Sequence, residues 1–228
     1  MATILLLETS TDCCSVAVCK DGAIIAKMED ATPKVHASRL VPMVNDILKT
    51  SGITMNQVDA VAAGGGPGSY TGLRVGVSTA KGLCFGAGIP LISVGTLDVL
   101  ASKGMEEGDC PDFIVPFIDA RRMEVYCAVY GNDGGRQSEV EAVILDENSF
   151  AHLLNQGKVL FIGTGVNKFA EICSHPNARF RECFPTAAYM AGCATKAFEQ
   201  KKFEDTAYFE PFYLKEFKPG ISRKSPLL

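Results

Sequence analysis

The sequence has no tryptophan, only three histidines among its 228 residues, and no cysteine pair spaced C-x-x-C. Each shortage removes a class of chemistry. A histidine metal site or a nucleophile–base pair needs converging partners, and His36, His152 and His175 are far apart, none completing a pair at helical spacing. The nine cysteines are odd in number and scattered through apolar stretches such as "DCCSVAVC" and "VYCAVY". They read as small buried hydrophobes of a reducing compartment, with neither a disulfide framework nor zinc expected.

Long apolar runs are missing too. Nothing approaches the roughly 18 residues of a membrane span, and "MATILLLETS" has no basic region ahead of its apolar residues, so neither anchor nor signal peptide is expected and the chain is placed in the cytoplasm. Positive charge is not in excess: 22 Lys and Arg face 26 Asp and Glu, for a net charge of −4. Phosphate contacts need clustered cations, so strong solitary binding to a polyanion is not expected, and any nucleic acid is expected to be contacted mainly by a partner.

What is present is a core and a repeat. Hydrophobic residues make up 47% of the chain, enough for burial without staples. Strand-like runs Thr3 to Thr9, Cys13 to Lys20 and Ala23 to Asp30 open the sequence, the last two joined at Asp21-Gly22, a hairpin signal. A helix is predicted from His36 to Ser51 with Gly52 as its stop, Pro42 implying a late start or a kink. A strand Ala60 to Gly66, a helix Thr71 to Phe85 and a strand Pro90 to Gly95 follow.

The second half repeats this order. It has strands Phe113 to Ala120, Glu124 to Tyr130 and Ala142 to Asp146, a helix near Asn148 to Asn155, and a strand Val159 to Gly165. Helices then start near Asn167 and run from Thr186 to Lys201. Two β-β-β-α-β-α units predict a duplicated α/β protein, with Glu8 and Asp119 ending the first strand of each half. The expected division is 1–104 and 105–217 with a basic flexible tail at 218–228, the linker lying in "ASKGMEEGDCP", Ala101 to Pro111.

The stretch "GGGPGSYTGLRVGVSTAKGL", Gly64 to Leu83, looks like a phosphate loop entering a helix. The Walker pattern fails because Lys81 lies well inside the helix, and the dinucleotide pattern fails at Ser69. Backbone N–H groups at Gly68 and Ser69 could still meet an anion, with Arg74 just beyond. Gly72, Gly76 and Ala80 form a row with almost no side-chain volume. Glycine inside a helix costs roughly 1 kcal/mol relative to alanine, so the row implies close approach of another backbone, either this chain's own sheet or a partner helix. Asp119 with Arg121 and Arg122 reads as a turn held by an Asp–Arg pair.

With "ILLLETSTDCCSVAV", "FIDARRMEVYCAVY" and "EPFYLKEF", the glycine stretch resembles the bacterial TsaB (YeaZ) proteins, relatives of the glycoprotease-like TsaD proteins, over nearly the whole chain. The resemblance implies the duplicated actin-like ATPase fold of sugar kinases and chaperone ATPases, and a role in making threonylcarbamoyladenosine in tRNA. In the catalytic relative an HxxxH pair holds a metal; here His36 matches the first ligand and Leu40 replaces the second. Glu8 stands where actin-like ATPases have an aspartate, Thr9, Ser10 and Ser15 match phosphate donors only in part, and "GTGVN", Gly163 to Asn167, resembles a degenerate purine-side loop.

The expectation is a non-catalytic subunit docking on the catalytic TsaD-type paralogue through His36, Leu40, Val44, Gly72, Leu73, Gly76, Val77 and Ala80. Gly76→Arg is then expected to break the heterodimer and leave the fold intact. The resemblance further implies the ATPase subunit TsaE as a transient partner, tRNA reached through the complex, and a homodimer when the chain is alone. No metal is expected with three separated histidines, ATP or ADP at the subunit junction is the one cofactor candidate, and Thr9, Ser10, Gly68, Ser69 and Arg74 are the nucleotide- or anion-binding candidates. Two alternatives stay open: a free-standing glycoprotease-like peptidase or ATPase, and an RNA-binding module using Lys215, Lys218, Arg223 and Lys224.

Overall fold

The computed structural model describes residues 2–106 and 110–215. The first half runs β1 (Thr3–Glu8), β2 (Cys14–Lys20), β3 (Ala23–Asp30), α1 (His36–Ser51), β4 (Ala60–Gly66), α2 (Tyr70–Ala87), β5 (Leu91–Gly95) and α3 (Thr96–Met105). The second runs β6 (Phe113–Asp119), β7 (Glu124–Cys127), β8 (Tyr130–Gly131), β9 (Glu141–Ile144), α4 (Ala151–Leu154), β10 (Val159–Gly163), α5 (Val166–Ala170), β11 (Ala178–Glu182) and α6 (Ala191–Glu199).

The strands form two sheets of matching order, β3-β2-β1-β4-β5 and β9-β7-β6-β10-β11, with β8 also beside β6. In each, the first strand is central, antiparallel to the second and parallel to the strand after the helix. The duplication expected from the sequence is therefore a duplication of topology.

Because β1 is covered on both faces, "TILLLE" is a continuous apolar run ending in one buried carboxyl. Leu5 and Leu7 pack under Leu40, Met43, Val44 and Ile47 of α1. Ile4 and Leu6 point the other way, against Met190, Ala191 and Ala194 at the start of α6. The halves thus exchange helices: α6 covers the first sheet, while Leu97, Leu100 and Ala101 of α3 pack with Ile114, Ile118 and Ile162 of the second.

Three boundaries differ from expectation, while α1 keeps its expected bounds. Helix α1 begins at His36 and passes through Pro42 without a late start; Pro42 is exposed, so the helical bond it cannot make is lost on the solvent side. Ala101 to Met105, expected as linker, belongs to α3 because its apolar residues cover the second sheet. The run Glu124 to Tyr130 breaks into β7 and β8. The helix expected from Thr186 opens as a 3-10 turn, Ala187–Met190. Strand β11, "ARFRE", is a five-residue sheet edge whose Ala178 and Phe180 face the second core while Arg179 and Arg181 face away. The tail from Lys218 on, with Arg223 and Lys224, lies outside the described residues.

Candidate functional site

The glycine row is a seat for the end of β1. A Cβ on Gly72 would overlap the Thr9 carbonyl oxygen, and one on Gly76 the Thr9 hydroxyl. The Thr9 hydroxyl donates to the Gly72 carbonyl at 2.8 Å, and the Ser69 N–H donates to the Ser10 carbonyl at 2.6 Å. Ser69 also caps α2, its hydroxyl accepting from the Gly72 N–H at 3.3 Å. Of the two readings of the row, this chain's own sheet is the neighbour.

That geometry corrects the expected docking residues. Leu73 and Ala80 are 0% exposed, Leu40 1%, Val77 3%, Val44 4% and His36 8%. Gly72 and Gly76 lie beneath Thr9, so all eight face inward and hold α1 and α2 to the sheet. Gly76→Arg would therefore unfold the chain and says nothing about docking.

The outward face of the same helices is different. Phe85 is 87% exposed and Val41 58%, and a Cβ on Gly82 or Gly86 would meet nothing within 4 Å. An exposed phenylalanine beside two unobstructed glycines on α2 offers apolar area and close backbone approach to another helix. The sequence signal was present: Phe85 and Val41 are apolar on the face that the helical period assigns to water.

Between the sheets lies a cleft of about 1000 Å³. Ser10, Gly68 and Ser69 line one wall, Asp119, Arg121 and Thr164 the other, and Tyr213 and Lys215 cross it. Thr9 and Arg74 are not on it: Thr9 is turned under α2, and the Arg74 guanidinium sits 4.4 Å from the Tyr70 ring centroid. The Ser69 amide is spent on Ser10, and the space a Gly68 side chain would occupy is filled by Ser10. Of the expected anion donors, the Ser69 amide is thus already paired within the chain.

The expected Asp119–Arg pair is replaced. Asp119 Oδ1 accepts from the Arg121 N–H at 2.5 Å and from Lys168 Nζ at 2.8 Å, while Lys168 also donates to the carbonyls of Arg122 and Glu124 at 2.7 and 3.0 Å. One ammonium thus pins a turn in which Arg121 and Arg122 both have positive φ, 71° and 51°. Thr164, in the loop expected as purine-side, accepts the Asp119 N–H at 3.1 Å. Among the described residues no group of three or more His, Cys, Asp and Glu is placed to hold a metal ion.

Glu8 is wholly buried, its Oε1 accepting the Ser10 N–H at 2.6 Å and its Oε2 without a hydrogen-bond partner. Loss of solvation pushes its carboxyl above the ordinary value, and the hydrogen bonds from Ser10 and Thr9 offset this only in part. A raised folded-state pKa favours folding most below the ordinary carboxylate range, and that stability is lost as pH rises toward the folded value. Glu8→Gln is expected to abolish this downward slope of Tm as pH rises above the ordinary carboxylate range. An unchanged slope in the variant would assign it to other groups.

A central strand flanked by exchanged helices, present in each of two sheets of matching order that face a shared cleft, defines a duplicated actin-like ATPase fold. The solved activator of 2-hydroxyisocaproyl-CoA dehydratase from Clostridium difficile, with bound ADPNP, superposes over 88% of this chain and 96% of its own at 12% identity and a TM-score of 0.50, which bears on fold alone. YeaZ from Pseudomonas aeruginosa is far nearer, with a TM-score of 0.81 and 30% identity over 94% of this chain and all of its own. The chain is 35% identical to the tRNA threonylcarbamoyladenosine biosynthesis protein TsaB of Escherichia coli, over 93% of this chain and 94% of that one. The family model "TsaD: tRNA N6-adenosine threonylcarbamoyltransferase" matches residues 29–218. This chain belongs to the TsaB (YeaZ) family.

Proposed function

We propose that this chain is a non-catalytic subunit in the biosynthesis of threonylcarbamoyladenosine in tRNA, which docks on a catalytic TsaD-type paralogue and activates it. A part in that biosynthesis is supported by the names its relatives carry. The docking is carried by one observation, the outward face of α1 and α2, where Phe85 at 87% exposure stands beside the open Gly82 and Gly86.

The TsaD-family match over residues 29–218 supports a partner of the same fold, able to present equivalent helices. Two such faces pair as four helices, and two copies of this chain can pair the same way, so a homodimer forms when the paralogue is lacking. Activation follows if this chain binds the active conformation of its partner more tightly than the inactive one. TsaE and tRNA reach this chain through the assembly, and ATP or ADP belongs to the subunit junction. The docking helices lie within residues 1–104, and the sequence from 218 to 228 is basic.

Threonylcarbamoyl incorporation into tRNA tests this directly. With the catalytic paralogue, the adenylate-making enzyme and TsaE present, product is expected only when this chain is added. Equal product without it overturns the proposal.

A further inference from the structure

We infer that Tyr208, in the segment following α6, is an anchor of the docking face; the inference rests on the docking reading above. The segment runs antiparallel along α2. Lys81 Nζ donates to the carbonyls of Ala207 and Phe209 at 3.0 and 3.1 Å, the Tyr213 and Tyr70 ring centroids are 4.9 Å apart, and the Phe212 N–H donates to the Gly65 carbonyl at 2.8 Å.

Tyr208 is the residue this path leaves outside. It is 84% exposed, although the carbonyls on both sides of it are held by one ammonium and Phe209 packs into the first core. Asp205 closes the turn: its Oδ1 accepts the N–H groups of Ala207 and Tyr208 at 2.8 and 3.1 Å, and its carbonyl accepts that of Phe209 at 2.8 Å. The backbone is fixed and the ring is displayed.

Lys81 is four residues before Phe85, so the two are neighbours on one side of α2. The turn bonded to Lys81 therefore adjoins the turn that carries Phe85, and Tyr208 continues the face on which that phenylalanine stands. A tyrosine on a rigid mount gives contact area at little entropic cost, which is why such residues dominate interface energies. The surface it fits is an apolar socket on the TsaD-type partner with a hydrogen-bond acceptor at its end for the phenol.

Heterodimer affinity, measured by calorimetry on the purified full-length chains, tests the inference. Tyr208→Ala is expected to weaken binding by about 30-fold and Tyr208→Phe by about 3-fold, both with unchanged Tm because the ring is exposed. Natural affinity in Tyr208→Ala, with binding lost in Phe85→Asp, overturns the anchor and leaves the docking reading standing. Natural affinity in Phe85→Asp as well overturns both.

Discussion

Gly72→Ala is expected to destabilise the protein by about 3 kcal/mol, lowering Tm by roughly 6–12 °C. The added methyl has no room, because the atom it meets is the Thr9 carbonyl oxygen, part of the backbone and bonded into the end of β1. Neither α2 nor β1 can give way alone, since the Thr9 hydroxyl and the Gly72 carbonyl tie them at 2.8 Å. Gly82→Ala, ten residues along the same helix, is the matched control. Nothing lies within 4 Å of its Cβ, so the substitution is expected to stabilise by roughly 0.5–1 kcal/mol. Thermal unfolding of the two variants checks both signs; a tolerated Gly72→Ala would mean that the row does not seat β1.

Phe85→Asp is expected to weaken the heterodimer by about 100-fold while leaving Tm nearly unchanged. The ring is 87% exposed, so its loss costs the isolated fold little. Within a docked interface the same position would bury a carboxylate opposite an apolar helix, without a charge partner to offset its desolvation. Sedimentation of the mixed chains reads the affinity. A heterodimer of undiminished strength would move the interface off α2.

How much of this was legible in the sequence follows from which signals are local. Periodicity locates β3, α1 and β4 at the residues observed, and the Gly64 to Leu83 stretch passes from strand to helix as expected. The duplication was legible because both halves need the same apolar order for the same topology. Strand β11 is not: its alternation rests on two apolar residues, Ala178 and Phe180, in a five-residue edge strand, too short a run to stand out. Nor was the end of α3, where "ASKGM" looks like linker until the second sheet is there to cover.

The inward direction of the glycine row is hidden in the sequence for a related reason. A row of glycines signals close approach of some backbone, and the sequence does not say which. Thr9, more than sixty residues earlier, is the answer, and only the folded chain brings it there. Likewise Ser10, Gly68 and Ser69 are legible as neighbours of one another at an anion-binding candidate, but that the Ser69 N–H is taken by the Ser10 carbonyl and the Ser10 N–H by Glu8 depends on how β1 ends. Exposed Phe85 and Val41 were the available clue to the outward face, read against the helical period instead of along it.

The most direct test of the central claim is the rate of threonylcarbamoyl transfer by the catalytic paralogue, measured against increasing concentration of this chain, natural or Phe85→Asp. If the chain activates by docking through the outward face of α2, the variant raises the half-saturating concentration by about 100-fold and approaches the same plateau. Superimposable curves for the two would contradict the claim.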